Sequence, residues 1–153
     1  MESPQEHSAV ARFKSGFNCA QSVFAEFAVE LGLAEEQAYK LASGFGGGLA
    51  HTNNICGAVT GGVLAIGLKY GASRGSDRYS KAQTYHVIQR FMKEFTEAHG
   101  SLQCTSLLGY DLSDEEQFQA AIAVAAPICT CPKFLVASVE LVRKALDEGI
   151  KPA

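Results

Sequence analysis

Apolar residues recur along this chain three and four positions apart, and no segment alternates apolar with polar residues for more than a few positions between turn signals. The pattern therefore predicts helices and no strands. A short helix is expected over residues 6–14. "SGF" then breaks the pattern, and Asn18 can cap a helix that carries Val23, Phe24, Phe27 and Leu31 on one face and ends at Gly32. A third helix is expected from Ala34 to about Gly44. Next comes "GGGLAHTNNICGAVTGG", a glycine-rich loop that runs into a very apolar helix from about Ile55 to Tyr70.

Ser76 and Asp77 open the longest predicted helix, in which Val87, Phe91 and Phe95 recur every four residues with Ile88 and Met92 beside them, and Gly100 closes it. "SLQCTSLLG" reads as a short helix capped by Ser101 and stopped by Gly109. Ser113 with Glu116 three positions later forms a capping-box pattern, which predicts a helix running to the region of Pro127. The last helix starts near Pro132 and carries Phe134, Leu135, Ser138, Leu141, Val142, Ala145 and Leu146 up to Gly149. The expected fold is all-α. Residues 1–153 are read as a single-domain compact bundle of about six to seven helices, with the glycine loop ahead of a central apolar helix, because no repeat or linker divides the chain.

Composition narrows the class. With 153 residues the chain can bury a sizeable core without disulfide staples. A net charge of −3 and the lack of a single-sign charge run give no electrostatic footprint for nucleic acid or an anionic membrane. "AVTGGVLAIGL" is about half the ~20 residues a membrane span requires, so the chain is not expected to be membrane-embedded. "MESPQEHSAVARFKSG" has acidic residues and no apolar core of a secretory signal, so the expected location is cytoplasmic. In that compartment thiols stay reduced, and five cysteines point to metal or redox chemistry before structural disulfides.

Four of the five cysteines fall where helices are expected to begin. Cys19 follows the cap Asn18, Cys56 opens the apolar helix, Cys104 lies in the first turn after Ser101, and Cys131 precedes Pro132. Unpaired amides and the positive end of the helix dipole favour thiolate over thiol at such positions. On that ground Cys56 is the expected attacking thiolate. Gly46, Gly47, Gly48 and Gly57 leave room for a close approach by an anion, a substrate or a second sulfur. His51, five residues before Cys56, could accept the thiol proton or help hold a cofactor. Absence of a Gly-Lys-Ser/Thr ending rules out a phosphate loop, and absence of Cys-x-x-Cys rules out the usual thioredoxin-type dithiol.

Asn18-Cys19-Ala20-Gln21-Ser22, the glycine loop leading into Cys56-Gly57-Ala58-Val59-Thr60-Gly61, the following "IGLKYG", Cys104 ahead of "LLGYDL" and Cys131-Pro132-Lys133-Phe134 carry a family likeness. Together they resemble the C_GCAxxG_C_C family of redox-active proteins, over residues 10–146. The resemblance implies a small helical domain with four functional cysteines, here Cys19, Cys56, Cys104 and Cys131, and supplies no substrate. Cys129 departs from the pattern and leaves the pairing open: a Cys-x-Cys pair can chelate a metal, form a readily reduced disulfide, or serve as an accessory thiol.

Three functions follow as expectations. In the first, two helix-start cysteines cycle between dithiol and disulfide with a redox partner protein or a small thiol, while the others, Cys129 included, resolve or relay the oxidation. In the second, Cys19, Cys56, Cys104 and Cys131 supply a tetrathiolate set for zinc or an iron–sulfur cluster, although their wide separation is unlike the paired knuckles of structural zinc sites. In the third, the chain is a non-catalytic interaction subunit of a transporter system. The strongly apolar helix serves either as central core or as the seam of an expected homodimer.

Overall fold

In the computed structural model, residues 7–150 are described; the expected helix start at residue 6 lies outside them. Nine helices follow one another: α1 (Ser8–Lys14), α2 (Cys19–Ala28), α3 (Glu35–Ala42), α4 (Gly57–Tyr70), α5 (Arg78–His99), α6 (Cys104–Leu108), α7 (Glu115–Ala123), α8 (Ala126–Thr130) and α9 (Pro132–Glu148). No strand occurs among the described residues, so the fold is all-α as the periodicity predicts. The count exceeds the expected six to seven because the segment before Pro132 breaks twice. The chain leaves α7 at Val124, and Ala125 takes a left-handed conformation at φ 51°, which starts the five-residue α8.

Three helix starts carry the predicted chemistry, at Asn18, Asp77 and Pro132. Asn18 Oδ1 accepts from the Gln21 amide while Gln21 Oε1 accepts from the Asn18 amide, so α2 opens on a complete capping box. Asp77 caps α5 by accepting from the Ser80 amide at 2.9 Å. Two expectations shift by one or two residues. Asp114, in place of Ser113, caps α7 by accepting from the Gln117 amide, because Ser113 is turned back onto Asp111. Gln103, in place of Ser101, is the residue flanking α6, and Ser101 Oγ accepts the Gln103 amide from outside.

Helix α4 is apolar on every side and lies at the centre, with Ala58, Val59, Ala65 and Ile66 fully enclosed. A helix without a polar face must be covered all round. Helix α2 covers it on one side with Ala20, Val23 and Phe27, and α5 and α9 on others with Phe91, Phe95, Leu135 and Val142. Polar ties fix the arrangement. Ser138 Oγ donates to the Ala58 carbonyl at 2.6 Å inside the core, and the Tyr70 hydroxyl reaches the carbonyls of Ala145 and Leu146.

Close approach to α4 requires residues without a side chain. A Cβ on Gly61 would stand 2.7 Å from the Ala20 carbonyl oxygen, and one on Gly62 would stand 2.5 Å from the Phe91 ring. At Gly67, farther along the same helix, a Cβ would meet nothing within 4 Å. Gly61→Ala is therefore expected to lower unfolding stability by about 1–3 kcal/mol through overpacking. Gly67→Ala is expected to raise it by up to about 1 kcal/mol through helix propensity. Urea unfolding of the two variants distinguishes a packing glycine from an incidental one, and equal effects would refute the close-approach account.

Candidate functional site

Four helix starts meet at one end of the bundle. Cys19 is the first residue of α2, Cys56 flanks the start of α4, Cys104 opens α6, and Cys131 stands between α8 and α9. Cys56 and Cys104 are brought to a common face by the one β-bridge of the described residues, an antiparallel pairing of Ile55 with Gln103. The Cys56 amide donates to the Leu102 carbonyl at 2.7 Å and the Cys104 amide to the Asn54 carbonyl at 3.0 Å. Successive residues of paired extended segments point to opposite faces, so Ile55 and Gln103 share one and Cys56 and Cys104 share the other.

Glycines close the gap between these segments. A Cβ on Gly57 would lie 2.8 Å from Cys19 Cβ, one on Gly48 would lie 2.8 Å from Cys104 Cβ, one on Gly46 would overlap the Asn18 side chain, and one on Gly47 would overlap the His51 ring. The four glycines expected to make room thus stand against Cys19, Cys104, Asn18 and His51. Gly46 and Gly47 also line a cavity of about 240 Å³ that Cys19, Cys104 and Cys131 share, while Cys56 sits behind it.

The stretch ahead of Cys56 is not a flexible loop throughout. After a 3₁₀ turn at Ser43–Phe45, Gly47, Gly48, Leu49, Ala50 and His51 all have positive φ, between 57° and 72°, and form a left-handed turn. The conformation costs L-residues roughly 1–2 kcal/mol each, and Leu49, Ala50 and His51 bear it. The turn is pinned from behind. Thr52 Oγ1 donates to the Leu49 carbonyl at 2.7 Å, the Asn54 amide donates to the Gly48 carbonyl at 3.0 Å, and Asn54 Nδ2 donates to Thr52 Oγ1 at 2.8 Å. Thr105 Oγ1 adds a short hydrogen bond to Asn53 Oδ1. His51 remains exposed at the cavity wall, its ring tilted against Phe118 with centroids 5.2 Å apart.

Burial and mutual proximity differentiate the sulfurs. The proximity of Cys131 holds the proton on Cys19 and raises its pKa well above the ordinary thiol value, with burial acting in the same direction. The same proximity, joined by the charge of Lys133, lowers the pKa of Cys131 despite its partial burial. Desolvation pushes Cys56 up to about 12, against the opposing pull of the Ala58 and Val59 amides at the start of α4. Burial raises Cys104 to about 11, with Cys131 and Asp111 adding to the rise. The helix-start amides therefore act on Cys56 in the expected direction and are outweighed. Cys131, and not Cys56, is the sulfur favoured as thiolate.

Residues 17–145 match the family described as "Putative redox-active protein (C_GCAxxG_C_C)". The chain belongs to that family. No curated protein and no solved structure matches it. The four cysteines assigned to the C_GCAxxG_C_C pattern are those that converge, whereas Cys129 is exposed on α8 and does not line the cavity. All five are free thiols. Thiolate sulfur suits zinc or an iron–sulfur cluster in type. Among the described residues no three His, Cys, Asp or Glu side chains are grouped so as to hold a metal ion. No helix among them is long and apolar enough to cross a membrane.

Sequence reasoning missed the cavity wall, in which Phe13, Leu108, Leu112 and Pro127 join the sulfurs, because these residues read as ordinary apolar positions of separate helices. It also missed Lys133, although its place two residues after Cys131 was a usable signal.

Two outcomes are expected. Iodoacetamide at near-neutral pH should alkylate Cys131 ahead of Cys19, Cys104 and Cys56, and Cys19→Ala should slow the Cys131 reaction by removing the thiol that favours its anion; peptide mass mapping reads both. Cys56 has a folded pKa of about 12 against an ordinary 9.0, so neutral-thiol burial contributes stability below pH 9 that is lost as the pH rises through 12. Urea midpoints should fall across that window and fall less in Cys56→Ala; equal slopes would contradict the burial of this thiol.

Proposed function

We propose that this protein is a thiol–disulfide redox protein in which Cys131 and Cys19 form the working pair. The observation that carries the reading is the placement of Cys19 and Cys131 on the wall of one cavity, where the pair shift one another's ionisation in opposite directions. A nucleophilic thiolate beside a protonated resolving thiol is the arrangement that disulfide exchange requires.

The chemistry balances with a disulfide as oxidant. The Cys131 thiolate attacks one sulfur of R–S–S–R, that bond breaks, and RS⁻ departs with the proton of Cys19. The Cys19 thiolate then attacks the mixed disulfide at Cys131, forms the Cys19–Cys131 bond and expels the second RS⁻, which takes a proton from solvent. Two protein thiols are oxidised and one disulfide is reduced to two thiols. Cys104, at the same cavity, is placed to exchange with either partner, and Cys56 lies behind them as a reserve. A cytoplasmic setting suits the cycle, because thiol pools there return the pair to the dithiol form.

The test is stoichiometric. Protein reduced and purified without oxygen, then treated with a mild disulfide, should lose two thiols reversibly and yield a Cys19–Cys131 peptide on mapping, and Cys131→Ser should slow that loss at least about tenfold. Stoichiometric zinc, a brown chromophore in the anaerobic protein, or oxidation that bypasses Cys19 and Cys131 would overturn the reading.

A further inference from the structure

We infer that the cavity at the sulfur cluster is the binding site for a small organic disulfide that carries no carboxylate. The inference rests on the thiol–disulfide reading above and adds to it the class of substrate.

Size comes first. The cavity measures about 240 Å³. With about 30 Å³ of liquid volume per water, it has room for about eight water-sized groups. That admits two short organic arms flanking an S–S bond, and longer arms would extend into the solvent onto which the cavity opens.

Charge comes second. Among the residues that line the cavity there is no Lys, Arg, Asp or Glu. Phe13, Leu108, Leu112 and Pro127 make its walls apolar. Its polar amide is already committed: Asn18 Nδ2 donates to the Ser43 carbonyl at 2.8 Å and Asn18 Oδ1 accepts from the Gln21 amide at 2.9 Å. Asp111 acts on Cys104 and Lys133 on Cys131, one charge of each sign, and neither side chain reaches the cavity. A carboxylate carried into such a space would shed water and meet the Cys131 thiolate as a like charge, with His51 the one imidazole of the lining, whereas an ammonium would meet that thiolate as a counter-charge. An uncharged disulfide sheds little and gains contact with the apolar walls.

Chemistry comes third. Three sulfurs, Cys19, Cys104 and Cys131, open onto the space, so a bound S–S bond has an attacking thiolate and two thiols within one chamber. Cys19 releases its proton to the departing arm, which therefore leaves as a neutral thiol and needs no cationic cradle.

The experiment uses the full native chain, fully reduced, with the Cys19–Cys131 disulfide read by acid quench, alkylation and peptide mapping so that Cys129 does not contribute. Four oxidants are compared: bis(2-hydroxyethyl) disulfide, which is neutral; cystamine, a dication of similar size; dithiodipropionate, a dianion of similar size; and glutathione disulfide, which is several times larger. Each rate is divided by the rate of the same disulfide with free mercaptoethanol, which removes intrinsic reactivity. The neutral disulfide and cystamine are each expected to exceed dithiodipropionate and glutathione disulfide by at least about tenfold, the discrimination that burying an unpaired carboxylate produces. Leu112→Trp, which fills the cavity, should abolish that preference while far-ultraviolet circular dichroism stays unchanged.

Equal normalised rates, or a preference for either carboxylate-bearing disulfide, would overturn the substrate assignment and leave the Cys19–Cys131 pair standing. Failure of every disulfide to produce the Cys19–Cys131 bond would overturn both.

Discussion

The backbone of α4 lies closer to α2 than any side chain would allow, and the sulfur cluster depends on that proximity. Gly57 admits the Cβ of Cys19 and Gly61 admits the Ala20 carbonyl, so the starts of two helices distant in sequence stand almost in contact. Once they do, the short extended pairing of Ile55 with Gln103 carries Cys104 to the same place. Cys131 is delivered by α9, whose Ser138 is anchored to the Ala58 carbonyl. Each of the four sulfurs is thus placed by its own element, and all four placements refer back to the first turn of α4.

The same crowding decides which sulfur reacts. A helix start offers amides to an anion, but it does so usefully only where water or another polar group shares the cost of keeping the anion. Cys56 is enclosed, so the amides lose to desolvation; Cys131 is less enclosed and has a neighbouring thiol aimed at it. Which sulfur is favoured as the anion is therefore set by depth below the surface and by a neighbouring thiol more than by position on a helix.

Helical periodicity made the architecture legible, since Val87, Phe91 and Phe95, or Val23 and Phe27, announce their faces without help from the rest of the chain. Two of the cysteines were legible too, because Asn18 and Pro132 mark the helix starts beside Cys19 and Cys131 by local chemistry alone. What stayed hidden depends on long-range contact. Nothing near Ile55 says that Gln103 will pair with it, and burial of Cys56 arises from helices contributed by distant parts of the chain. The break at Ala125 was also invisible, as alanine is the last residue whose local preference would suggest a left-handed corner. Pro132 singles out Cys131 from Cys129 in the sequence, but only the packing of α8 shows that one faces outward and the other lines the cavity.

The turn from Gly47 to His51 has the opposite hand to every other helical segment described. For those residues the ordinary stereochemistry of the amino acids is the unfavourable one. In a chain assembled by chemical synthesis, D-alanine at position 50 would occupy this backbone as comfortably as L-alanine occupies α4. The enantiomer that disrupts a right-handed coil would here relieve the segment, and the wall beside the sulfurs is thus a place where inverting one stereocentre stiffens a natural fold.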